Sequence, residues 1–312
     1  MSVSVAIPNV TSQLGEGPHW EEDTQTLLFV DSLECKVYRW NSLTKDVSSV
    51  QLGDTVGSVV PFQNGGYLAG VGRTISHFEW NTGVTTKLQE VSSTGLDDRF
   101  NDGKCDPAGR FWTGTMGSKI SYNNGIPVFE QNVGSLYSLD KTGALSKHFS
   151  GITVSNGLAW SSDERVMFYI DTGTRKVEAF TYDVESGEIS DRRDAITFET
   201  FPEKATMGWP DGMTIDTEGH LWVACFGVGK VICFDPATGT KLTEVNIPAP
   251  ITTSCCFGGK NLDELYITTA PFAATEQELQ QYPSLGSVFK VTGLGVKGRP
   301  ANVYQGDIKG RL

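Results

Sequence analysis

The sequence predicts an all-β fold, a six-bladed β-propeller. Three observations predict it. A short β-rich run preceded by turn residues recurs six times. The anchors of these runs, Phe29, Leu68, Trp112, Tyr169, Trp222 and Tyr266, stand 39, 44, 57, 53 and 44 residues apart. No stretch carries a sustained 3.6-residue apolar period. Repeats of roughly 40–50 residues, each holding several short strands, are the signature of propeller blades.

The elements follow in chain order. The opening alternation Val3, Val5, Ile7 supplies the outer strand of the last blade and closes the ring. The six runs occupy residues 26–31, 66–70, 110–114, 166–171, 220–224 and 264–268, and turns such as Gln63-Asn64-Gly65, Pro107-Ala108-Gly109 and Thr217-Glu218-Gly219 lead into them. Gly at the end of such a turn suits a hairpin. Alternating segments at 36–40, 176–180, 230–234 and 287–291 give the next strands. Residues 275–281 form one or two helical turns, and the glycine-rich stretch 293–298 forms a bulged turn, since no helix follows it as a phosphate-binding loop requires. No linker or composition shift divides the chain, so 1–312 is read as one domain rather than two sandwiches in tandem.

Composition excludes several function classes. The 312 residues carry a formal charge of −12 and 35 glycines without a G-X-Y period. An acidic chain lacks the clustered Lys and Arg that nucleic acid or an anionic membrane needs. No apolar run approaches the roughly 18 residues that span a bilayer. The N-terminus has no basic n-region and no long apolar core, so no secretory signal and a cytoplasmic protein are expected. The cysteines Cys35, Cys105, Cys225, Cys233, Cys255 and Cys256 show no CxxC spacing and are expected as free thiols, with adjacent Cys255 and Cys256 on opposite faces of a strand. The four histidines form no HxxH or HExxH spacing, and His19 is expected to pack.

Four repeats carry an acid or amide followed by glycine upstream of the anchor: Glu16-Gly17, Asp102-Gly103, Asn156-Gly157 and Asp211-Gly212. Equivalent positions of successive blades lie on a ring, so these four are expected to converge in the loops entering the innermost strands, at one mouth of a central channel. Asn101 can share that site. Buried carboxylates brought together repel one another and cost several kcal/mol of desolvation unless a cation joins them. The donors are all oxygen, which suits calcium, magnesium or manganese, with zinc a poorer fit.

The motifs Gly15-Glu16-Gly17-Pro18-His19-Trp20, Arg99-Phe100-Asn101-Asp102-Gly103-Lys104, Gly114-Thr115-Met116, Ser155-Asn156-Gly157-Leu158-Ala159-Trp160 and Pro210-Asp211-Gly212-Met213 occur in that order over nearly the whole chain. Together they resemble the regucalcin/gluconolactonase/luciferin-regenerating enzyme family. The resemblance implies a metal-dependent lactonase with one divalent cation at the propeller axis, calcium first and zinc, manganese or magnesium as alternatives. It implies Glu16, Asn156 and Asp211 as the metal ligands, Asp211 as catalytic acid/base, and Arg99 and Asn101 as substrate contacts. One departure stands out. The family carries an acidic, sugar-holding residue soon after Gly-Thr-Met, where this chain reads Gly117-Ser118-Lys119 in a longer loop. Lys119 is therefore expected to touch substrate with its charge reversed, which bears on substrate preference. A small lactone or ester is the expected partner and a monomer the expected state. The competing readings are a calcium-binding regulatory protein with incidental turnover and a hydrolase of other esters or luciferin-type substrates.

Overall fold

In a computed structural model, which describes residues 1–93, 95, 97–123 and 126–307, each of the six runs forms the second strand of a four-stranded antiparallel sheet. The innermost strands are Gly15–Glu21, Val56–Pro61, Arg99–Cys105, Ser155–Trp160, Trp209–Ile215 and Thr252–Gly258 for blades 1 to 6. Each packs against the next around the axis, and the sixth returns to the first. The fold is thus the six-bladed propeller that the repeats imply.

The ring is closed as expected. Ser2–Ile7 adds to the outer edge of blade 6, where Val3 faces Val291 and Val5 faces Phe289. Pairing the first strand with the last gives blade 6 strands from both ends of the chain, so opening the ring costs a complete ladder. The core is divided between neighbouring blades. Cys255 packs with Trp222, Phe257 and Phe289, whereas Cys256 packs with Trp20 and Tyr266, which places the two thiols on opposite faces. All six cysteines are unpaired. The short helix Glu276–Gln281 is present, with Thr275 and Glu278 forming a reciprocal cap.

Three expectations need correction. The anchors share a strand but not a register. Trp112 and Trp222 both lie opposite the second residue beyond the inner-strand bulge, while Tyr169 lies opposite the first and so turns to the other face of its sheet. The acid-or-amide–glycine pairs are not entry loops. They lie within or beside bulges of the innermost strands, and in blade 3 the bulged pair is Asn101-Asp102, so Asn101 rather than Asp102 holds the place of Asn156 and Asp211. Finally, 293–298 is an irregular strap: Gly298 pairs with Asp216 of blade 5, and the chain runs on beneath the ring until buried Tyr304 pairs with Phe62 of blade 2.

The long interval between Trp112 and Tyr169 has a structural source. A two-stranded hairpin, Lys119–Asn123 with Ile126–Phe129, is inserted between the second and third strands of blade 3. Elsewhere Asp106 and Asp216 anchor the first hairpins of blades 3 and 5. Each accepts backbone N–H bonds from its own turn and the indole N–H of a tryptophan six residues on, Trp112 or Trp222, at 2.9 Å.

Candidate active site

The inner-strand bulges turn successive side chains toward the channel, and glycine lets the strands come close enough to share one site. A Cβ on Gly212 would lie 1.9 Å from the Ser254 hydroxyl of blade 6, and one on Gly157 would lie 2.7 Å from Met213 of blade 5. Gly17 instead adopts φ +55°, a conformation that favours glycine.

Glu16, Asn101, Asp102, Asn156 and Asp211 are all buried. The amide of Asn156 is oriented by its neighbours. Thr172 donates its hydroxyl to the Pro210 carbonyl at 2.7 Å and so can only accept from the Asn156 NH2 group, at 2.8 Å. This leaves Asn156 Oδ1 as an acceptor, 3.3 Å from the Asn101 amide nitrogen. Asn101 also donates to the Ser155 carbonyl at 2.9 Å and accepts from Arg99 Nη1 at 3.0 Å. Arg99 donates in addition to the Phe100 carbonyl. A hydrogen bond from Asn156 also reaches Asp211.

The electrostatics are those of acids crowded without enough positive charge. Burial pushes the Glu16 carboxyl up to about 8, with the nearby Asp102 adding to the shift and the Gly17 N–H and Arg99 opposing it. Asp211 is raised well above the usual carboxylate range by burial and then by Glu16 and Asp102. Asp102 is raised by burial against the pull of Lys104. Burial brings Arg99 down to about 10, although Glu16 and Asp54 favour its charge. The donor set therefore fits a hard divalent ion: oxygens only, enclosed, and destabilised as anions until a cation arrives. Glu16, Asn156 and Asp211 are the residues that can hold it.

The structure thus brings together Glu16, Asn156, Asp211, Arg99 and Asn101. Lys119 lies outside this buried cluster. It is exposed on the inserted hairpin, donates to the Tyr122 hydroxyl at 2.8 Å, and sits 4.3 Å from that ring and 5.9 Å from the Phe272 ring. Phe272 follows the second strand of blade 6, and Ile126 of the same hairpin reaches Gly227 at the end of the second strand of blade 5. The hairpin from blade 3 therefore crosses the front of the channel and places Lys119 at its rim.

Two residues of the channel escaped the sequence reading. Lys104 donates to the Met213 carbonyl at 2.7 Å and lines a small cavity of about 100 Å³ at the rear, with His19 and residues 299–302 of the strap. The period-2 alternation of Asp102 and Lys104 along one strand was the available signal. Thr172, which fixes Asn156, lies beyond the second strand of blade 4 and had no motif to mark it. His19 is buried, and its imidazole is brought down to about 3, by burial and then by Lys104, so it packs as a neutral ring.

The family model described as SMP-30/Gluconolactonase/LRE-like region matches residues 14–271. Regucalcin of Bos taurus is 44% identical over 292 residues, covering 94% of this chain and 95% of that protein. Among solved structures, a luciferin-regenerating enzyme superposes with a TM-score of 0.86 at 35% identity, covering 97% of this chain and 99% of the other. A calcium-binding protein, regucalcin, from Agrobacterium tumefaciens gives a TM-score of 0.85 at 25% identity, with 97% of each chain covered. The order of motifs, the propeller and the extent of these matches agree, and the chain belongs to the SMP-30/gluconolactonase/LRE-like family.

Proposed function

We propose that the chain is a divalent-cation-dependent hydrolase of lactones or closely related esters. The observation that carries this reading is the meeting of three buried acids, Glu16, Asp102 and Asp211, with Arg99 and Asn101 in one enclosed site. Glu16, Asn156 and Asp211 hold the cation, calcium in the first instance and zinc, manganese or magnesium as alternatives. When bound, a divalent cation supplies Lewis acidity to a carbonyl and lowers the pKa of water.

The chain's own residues do the rest. Asp211, whose charge is restored once the site is neutralised, accepts a proton from the attacking water and returns it to the leaving oxygen. The Asn156 amide, pinned by Thr172, keeps Oδ1 as its acceptor in the site while its NH2 group donates to Thr172 and Asp211. Arg99 and Asn101 orient the oxygens of the substrate, and the guanidinium stabilises negative charge as it develops on the carbonyl oxygen. Lys119, at the rim, meets the part of the substrate that projects from the channel and favours groups bearing negative charge.

Acid release from gluconolactone, followed with calcium, zinc, manganese and magnesium and with chelator, tests the reading. Turnover that requires a cation and disappears in Asp211→Ala supports it. Turnover unaffected by chelation, or retained in that variant, refutes it. A calcium-binding role with incidental turnover is favoured by one observation, the purely oxygen donor set. Against that reading stands Arg99, since a cation store has no use for a guanidinium turned onto Asn101 beside the ligands.

A further inference from the structure

We propose that blade 5 carries a second cation site, for a zinc-like transition metal, built by Asp216, His220 and Cys233. It lies at the other end of the inner strand from Asp211. Asp216 stands five positions beyond Asp211, just past the end of the strand, roughly 15 Å away.

The comparison with blade 3 exposes the site. Asp106 and Asp216 occupy corresponding hairpins, and both carboxylates are fully buried and bonded to a turn N–H and a tryptophan indole. In blade 3 the charge is matched: Arg110 Nη1 lies 3.2 Å from Asp106 Oδ2, and Tyr182 donates to the same oxygen at 2.7 Å. Blade 5 has histidine where blade 3 has that arginine. His220 Nδ1 lies 3.5 Å from Asp216 Oδ2 and 3.7 Å from Glu218 Oε2. Among the described residues no lysine or arginine forms an ion pair with Asp216. A buried carboxylate without a matching cation is costly, and a metal ion is one way of meeting that cost.

Cys233 completes the set. It lies opposite Trp222 in the ladder, and one ligand atom from each of Asp216, His220 and Cys233 falls within 4.8 Å of the others. Four-coordinate zinc, with bonds of about 2.0 Å to nitrogen or oxygen and 2.3 Å to sulfur, needs ligand atoms roughly 3.3–3.8 Å apart. Closing around an ion therefore takes no more than about an ångström of movement, and a His220 side chain 26% exposed can contribute to it. Asp216 and a Cys233 thiolate neutralise a divalent charge, the thiol proton passes to solvent on binding, and Glu218 or water fills the fourth position. Imidazole and thiolate select zinc or cobalt over calcium, the reverse of the oxygen-only central cluster.

Titration of the purified chain with cobalt(II) tests the proposal, because only a thiolate ligand gives a sulfur-to-cobalt charge-transfer band. The expected result is a band that saturates near one equivalent and is displaced by zinc. It disappears in Cys233→Ser and in His220→Gln, and persists in Glu16→Gln and in Cys35→Ser, which removes the most exposed thiol. Absence of the band, or its survival in His220→Gln, overturns the proposal and leaves His220 as an ordinary partner of Asp216. If Cys233→Ser fails to fold, His220→Gln decides alone, since that side chain is partly exposed and lies outside the core.

Discussion

Glutamine at position 16 keeps the shape of the Glu16 side chain and removes its titration, so it isolates the linkage between protons, cation and stability. In metal-free protein Glu16 holds its proton to about 8, against 4.5 for the ordinary carboxyl. Between those values the folded chain binds a proton that the unfolded chain has lost, so stability falls as pH rises through the window and is unaffected below it. One proton corresponds to about 1.4 kcal/mol per pH unit, and the window therefore sets a ceiling on the order of 5 kcal/mol for Glu16 alone. Asp211 and Asp102 act in the same direction. A divalent cation substitutes for the lost protons, so its stabilising effect grows with pH. Thermal melts in chelator from pH 5 to 8 are expected to show a falling Tm for the wild type and a shallower fall for Glu16→Gln. Saturating calcium is expected to abolish the difference in the wild type, and calorimetric titration in buffers of different ionisation enthalpy should register proton release on binding. Equal slopes for wild type and variant in chelator would refute the argument, because the acids would then not be destabilised as anions by one another and by burial.

Other variants test separate parts of the molecule. Asp106→Ala leaves Arg110, Trp112 and Tyr182 without their shared buried acceptor, and urea denaturation is expected to show a loss of about 3–5 kcal/mol. Thr172→Val removes the acceptor that orients Asn156; cation affinity measured by calorimetry is expected to fall about tenfold while the far-UV spectrum is unchanged. Lys119→Asp is expected to raise the KM for lactones bearing a carboxylate relative to neutral ones, with little change in kcat, because the residue lies at the rim and not beside the reacting atoms. Removal of residues 1–7 takes the outer strand from blade 6 and unlocks the ring; a Tm lowered by several degrees in a thermal scan is the expected outcome.

Much of the fold was legible because a propeller writes its architecture as a repeat. The second strand of every blade was marked by an apolar run and a preceding turn, and the closing strand by the alternation of Val3, Val5 and Ile7. The register differs at Tyr169 because the first hairpin of blade 4 is one residue longer: six residues separate the paired Trp160 and Met167, against five between Cys105 and Phe111 and between Ile215 and Leu221. Asp102 shares with Asn156 and Asp211 the glycine that follows it, but that glycine lies within the bulge in blades 4 and 5 and one residue past it in blade 3, so Asn101 holds their place.

The sequence by itself determined the number of blades, the oxygen-rich character of the site and the motifs that carry family membership, because these reside in local patterns of polarity and turn chemistry. Only the tertiary structure decided which atoms meet. The hydrogen bond that Asn156 donates to Thr172, the hairpin that carries Lys119 across the channel mouth, and the approach of Tyr182 to Asp106 depend on contacts between residues well separated in the chain. Such contacts are set by how neighbouring sheets pack and how strands are registered, and a periodic pattern in one dimension does not record them.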